Sequence, residues 1–136
     1  MSVGASYNDT IRTARMVVVQ VNVDAGSGPG ILKLRDSANT VMAEVPLNDP
    51  CATVTTPTMT MLGFPKLVQC LAAAGDAAIL DNAVITDSNG VVCVGSVVPL
   101  TVGVDNPLDQ PDVKVQNINV AAFQWLNVTA VSIGHA

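Results

Sequence analysis

The sequence predicts an all-β domain, a β-sandwich or small antiparallel barrel of about seven short strands with a short N-terminal helix or arm. Three observations predict it. Short apolar stretches rich in valine, isoleucine and threonine recur along the chain, and these residues suit a pleated, half-buried surface. Turn clusters of Gly, Pro, Asn and Asp separate the stretches at short intervals. The length, 136 residues, suits one domain that buries a core without disulfides or a metal.

In chain order, residues 1–7 read as a flexible arm and residues 8–136 as a single β domain with its N-terminal helix or strand segment. Asn8 or Asp9 can cap a first helix that carries Arg12 and Arg15 and stops at Gly26 or Gly28. Met16 to Val23 (MVVVQVNV) is rich in β-branched residues that favour strand, so the segment stays open between helix and strand. Asp24 to Gly30 (DAGSGPG) is a turn, because three glycines and a proline continue neither element.

From there the signals are β. Ile31–Asp36 alternates apolar and polar, and Ser37 to Thr40 connects it to a second strand at Val41–Leu47. Pro46 has no ladder donor, which puts that strand at an edge or ends it there. Asn48 to Pro50 is a turn. Thr53–Leu62 is strand-like with a break at Pro57, and Leu67–Ala74 is a short helical turn or a strand. Ala77–Thr86 and Val91–Leu100 flank Asp87-Ser-Asn-Gly90, the clearest hairpin, where Asn89-Gly90 offers positive-φ residues. Asp105–Pro111 is a loop, and Val113–Val120 with Trp125–Ile133 makes a final strand pair.

The ordered motifs resemble a family of small tailed-phage virion structural proteins. The matching residues are Asp24-Ala-Gly-Ser-Gly-Pro-Gly30 followed by Ile31-Leu-Lys-Leu-Arg35, then Met42-Ala-Glu-Val-Pro-Leu-Asn-Asp-Pro50, then Val84-Ile-Thr-Asp-Ser-Asn-Gly90 with Val91-Val-Cys-Val-Gly-Ser-Val97. Order and spacing agree over most of residues 10–133. The chain departs from the pattern at Arg35, where the family has tyrosine, and at Asn82-Ala83, where aromatics are common. The resemblance implies a virion structural role without deciding between capsid surface, neck and tail; taken with the low charge, the favoured reading within it is a non-enzymatic capsid decoration (cement) protein bridging capsid subunits. Tail, neck or baseplate structure is the alternative, and a host-surface binding module is another. The implied partners are the major capsid protein or other virion proteins and further copies of the chain. The expected place is the virion, with the capsid surface the favoured position, after synthesis in the host cytoplasm.

Composition agrees. Charged residues are only 12% of the chain, about half the usual ~25%. Much of the outer surface is therefore apolar or neutral, as in a subunit that sits against others. Six basic residues against eleven acids give a net charge of −5, and the basic ones do not cluster. Nucleic-acid binding, which needs clustered positive charge, is not expected. Neither is membrane attachment, since the apolar runs are short and no polybasic run occurs. No secretory leader is legible at the N-terminus, so the sequons at Asn8 and Asn127 carry no meaning. Cys51, Cys70 and Cys93 are far apart and read as buried free thiols.

Candidate chemistry is sparse, and no cofactor is expected. Gly26 to Gly30 precedes a strand where a phosphate loop precedes a helix, and Pro29 removes a donor, so it reads as a turn. Asp87 begins like a calcium loop, but Val98 stands where the twelfth-position Glu belongs. Asp105, Asp109 and Asp112 on an oxygen-rich loop are the metal candidates; Asp is equally a turn former. The aromatics Tyr7, Phe64, Phe123 and Trp125 are the interface candidates. Phe123 and Trp125 share strand parity, which predicts that both face one side, in the core or as an interface anchor.

Overall fold

The structure, a computed structural model, describes residues 8–54, 57–108 and 110–134. It is mostly β, with about 41% strand and 15% helix among those residues, and its main sheet curls into a half-barrel. The predicted arm, including Tyr7, lies outside the described residues.

The open segment resolves as a helix, α1 (Asp9–Asp24). Asn8 is its cap: the Asn8 side chain accepts from the Ile11 amide at 3.0 Å, satisfying one of the orphan donors of the first turn. Asp9 sits in that turn and pairs with Arg12. Met16 and Val23 are buried on one face, with Val19 packed partly against the core. These positions recur at helical spacing, and their burial against the sheet overrides the β preference of the valines. The helix ends at Asp24, with Ala25 as its cap, just before the glycines.

Twelve strands follow: β1 (Ile31–Arg35), β2 (Val41–Pro46), β3 (Ala52–Val54), β4 (Thr58–Met61), β5 (Lys66–Gln69), β6 (Ala78–Ile79), β7 (Asn82–Thr86), β8 (Val92–Val94), β9 (Leu100–Gly103), β10 (Val113–Val115), β11 (Asn119–Val120) and β12 (Trp125–Gly134). This is more than the seven expected because several predicted strands are split. Thr53–Leu62 becomes the β3–β4 hairpin, and Ala77–Thr86 becomes β6 and β7. Val113–Val120 becomes β10 and β11. The 67–74 stretch is both things at once: β5, then a 3₁₀ turn at Ala72–Ala74.

The main sheet runs β2-β1-β7-β9-β10-β12-β4-β3, with β5 also beside β12 and β8 beside β7. A small sheet pairs β11 with β6. β2 is at the sheet's end, in keeping with Pro46. β7 is buried along its whole length, and β1 pairs with it in a register that sets Leu32 beside Ile85 and Leu34 beside Ala83. The all-β class holds, and within the otherwise antiparallel main sheet β9 and β10 are parallel. Parallel neighbours need a crossover, and the 104–112 loop supplies it. Asp112 fixes where it lands: its carboxylate accepts from the Thr101 amide at 3.0 Å, and its own amide donates to the Thr101 hydroxyl at 2.9 Å.

The Asp87–Gly90 hairpin is present, but not with two positive-φ residues. Only Gly90 is left-handed, at φ 87°. The Asp87 carboxylate instead organises the turn by accepting from the Asn89 and Val91 amides, which suits a type I turn followed by a glycine bulge.

β12 is the organising strand. Residues 125–128 pair with β5, residues 128–131 with β10, and residues 132–134 with β4. It therefore connects the β5 side of the molecule to the β3–β4 hairpin on which α1 packs.

Candidate functional site: an exposed apolar face

The predicted site residues separate. Asp105 forms an ion pair with Lys114 at 3.4 Å, Asp112 is engaged with Thr101, and Asp109 lies outside the described residues. Among the described residues no group of three or more metal-ligating side chains forms. The loop does border an open cleft of about 730 Å³, lined by Asp81, Asp105 and Asn106 among others. A second cleft of about 590 Å³ lies beside Asp36, Asp76 and Gln124.

The thiols are free. Cys51 and Cys70 are buried, whereas Cys93, expected to be buried, is only partly so. Burial first, then the Asp24 carboxylate beside it, pushes the Cys51 thiol up to about 12. Burial also raises Cys70, and it raises Cys93 with help from Asp87. None is set up as a thiolate nucleophile.

The aromatics divide differently from the expectation. Phe64 packs partly against the core, with the Lys66 ammonium 5.7 Å from its ring centroid. Phe123 and Trp125, read first as core, are exposed at 62% and 60%. Parity misled because Phe123 is not on a strand. It occupies the third position of a turn closed by the Gln124 amide donating to the Ala121 carbonyl at 3.1 Å, with φ 63°. A bulky residue with positive φ is an outlier.

That turn is held firmly. The Phe123 amide donates to the Cys70 carbonyl at 3.0 Å, and the Cys70 amide to the Gln124 carbonyl at 2.8 Å. The Gln69 side chain donates to the Phe123 carbonyl at 2.9 Å, and the Gln124 side chain accepts from the Ala121 amide at 3.0 Å.

Trp125 begins β12 opposite Gln69, and Leu67 lies opposite Asn127. Alternation puts all four on one face of the β5–β12 pair, with Leu67 diagonal to Trp125 and itself 63% exposed. Leu71 continues the apolar edge just beyond β5. The result is an uncharged surface on the β5–β12 pair, in which Leu67 and Trp125 stand beside the amides of Gln69 and Asn127. Sequence reasoning named its aromatics but missed Leu67 and Leu71. In Lys66-Leu67-Val68-Gln69-Cys70-Leu71 each parity carries both apolar and polar residues, so alternation does not say which set faces outward.

No described helix is long and apolar enough to cross a membrane. The chain matches no protein-family model, no curated protein and no solved structure.

Proposed function

We propose that the chain is a non-enzymatic structural protein of a tailed-phage virion, a capsid decoration (cement) protein that stabilises the head by bridging capsid subunits through the Phe123–Trp125 face. The observation that carries the contact reading is Phe123. Its left-handed backbone costs about 1–2 kcal/mol for an L-residue, yet its side chain is left exposed, two residues before an exposed tryptophan. Such strain is concentrated at functional positions, and Trp is enriched among residues that dominate binding energy. The virion role is supported by the resemblance, whose two glycine-turn motifs dock on each other in the fold, and by the low charged fraction.

The test is in particles. Virions lacking the protein should lose shell stability to heat or low salt, and adding back the wild-type chain, but not Trp125→Ala, should restore it. Normal stability without the protein overturns the cement role. Labelling that marks only a vertex or tail replaces it with a connector role.

A further inference from the structure

We propose that Asn89 is a site of spontaneous covalent modification, losing its side-chain amide to attack by the Gly90 backbone nitrogen at a rate set by the clasp between this hairpin and the DAGSGPG turn. Asn89 is exposed at the tip of the Asp87–Gly90 hairpin. It is the one asparagine in the chain followed by glycine; each of the others precedes a residue whose Cβ crowds the neighbouring nitrogen. A Cβ built on Gly90 would meet nothing within 4 Å, so the space beside the reacting bond is open.

The step balances with water as the only co-reactant. The Gly90 nitrogen attacks the Asn89 side-chain carbonyl carbon, Cγ. A bond from that nitrogen to Cγ forms, the bond from Cγ to Nδ2 breaks, and the nitrogen's proton leaves with the amino group as ammonia. Water then opens the cyclic imide at either of its carbonyls, giving aspartate or isoaspartate at position 89. Either product adds one negative charge, and isoaspartate also lengthens the main chain by one methylene.

The fold sets the rate because the attacking group is tied. The Gly90 amide donates to the Asp87 carbonyl at 3.1 Å, and the Asp87 carboxylate accepts from the Asn89 and Val91 amides at 2.9 and 3.0 Å. Attack requires the Gly90 bond to break and the peptide between Asn89 and Gly90 to rotate, so it proceeds from the opened turn. Ser88 holds that turn shut. Its hydroxyl accepts from the Gly28 amide at 3.2 Å, and the Gly26 backbone lies so close that a Cβ there would collide with Ser88 Oγ. Opening the hairpin therefore means parting it from a turn sixty residues away. Once formed, isoaspartate has a main chain too long for the Asp87 bonds, so conversion weakens the clasp. Nothing in this chemistry depends on the virion role.

Ageing of the full chain in mildly alkaline buffer tests it, read by peptide mass spectrometry, with enzymatic methylation marking isoaspartate. Expected is conversion at residue 89 ahead of the other asparagines, with heavy oxygen entering there from labelled water. Unfolding in denaturant should speed it at least about tenfold, and Gly90→Ala should slow it at least about tenfold in the unfolded chain. Gly26→Ala leaves the sequence around Asn89 unchanged. It should speed conversion at least about threefold in native protein and leave the rate in denaturant unaltered. Ser88→Ala, the milder change, should do the same relative to its own rate in denaturant. Leu126→Ala, in β12 and outside the hairpin, should stay near the wild-type rate. An unchanged Asn89 in native protein, over weeks in which the unfolded chain converts, overturns the proposal. So does a native rate unmoved by both Gly26→Ala and Ser88→Ala, or one raised as much by Leu126→Ala, since the reaction would then run through global unfolding.

Discussion

The amide of Gly28 donates to the Ser88 hydroxyl at 3.2 Å, locking two turns that lie sixty residues apart. The contact is close along its length. A Cβ on Gly26 would stand 1.9 Å from Ser88 Oγ, and one on Gly30 would stand 2.5 Å from Val23 Cγ1 and 2.7 Å from the Thr86 carbonyl. Gly26 and Gly30 are thus needed for close approach, whereas a Cβ on Gly28 would meet only Ser88 Cβ at 3.9 Å. Gly26→Ala should destabilise the fold by about 1–3 kcal/mol, and Ser88→Ala by about 1 kcal/mol through loss of the bond to Gly28. The double substitution should cost less than the sum, because removing the hydroxyl removes the closest of the contacts a Cβ on Gly26 would make, leaving Ser88 Cβ at 3.0 Å. Additive losses in denaturant titrations would show that the two turns do not meet this way.

Cys51 makes the fold sensitive to alkali. Burial pushes its thiol up to about 12 when folded, against the ordinary 9.0 when unfolded. The folded state therefore holds a proton that the unfolded state releases. The associated stability is complete below pH 9 and is lost as pH rises towards 12. Cys51→Ala should flatten the fall in stability over that window relative to wild type. In native protein at pH 8, Cys93 should react first with a thiol reagent and Cys51 only after unfolding, checked by mass spectrometry of the labelled peptides.

Trp125 and Leu126 are neighbours with opposite roles. Leu126 is buried at 2% exposure and Trp125 is open to solvent. Leu126→Ala should cost about 2–5 kcal/mol, whereas Trp125→Ala should change stability by less than about 0.5 kcal/mol. Thermal melts of the two variants check both. A large loss at Trp125 would return that residue to the core.

The loop that crosses over from β9 to β10 should behave as structure rather than as a cation site. Thr101→Val and Asp112→Ala each remove one of two reciprocal bonds, at about 1 kcal/mol apiece. The pair should be non-additive, because either substitution disturbs the same clasp. Millimolar Ca²⁺ should leave the melting temperature unchanged; a rise would restore the metal reading of Asp105 and Asp112.

Local chemistry was legible in the sequence, and long-range placement was not. Asn8, Pro46 and Gly90 each act through their own backbone neighbourhood, so cap, edge and turn were readable from type alone. The helix stayed undecided because the valines of 17–23 oppose it locally, and the deciding contact is with strands far along the chain. The parallel β9–β10 pair is likewise a property of where the crossover lands, set by Thr101 and Asp112. The candidate face was half visible. Its aromatics stood out by rarity, but the turn that leaves Phe123 exposed depends on Gln69 and Cys70, distant in sequence.

Phe123 gives the sharpest test, because stability and binding should move in opposite directions. Glycine adopts a positive φ without the Cβ penalty of about 1–2 kcal/mol, but it gives back about 0.5–1 kcal/mol in unfolded-chain entropy. Phe123→Gly should therefore raise the stability of the free protein by about 0.5–1 kcal/mol, read as a higher denaturation midpoint. The bonds that hold the turn use the backbone of residue 123, so they survive the change. The same variant should bind particles more weakly, since it removes an exposed ring two residues before Trp125. A variant that is less stable would mean the ring packs usefully within the chain. One that is more stable and binds as well as wild type would mean the strained turn serves no contact.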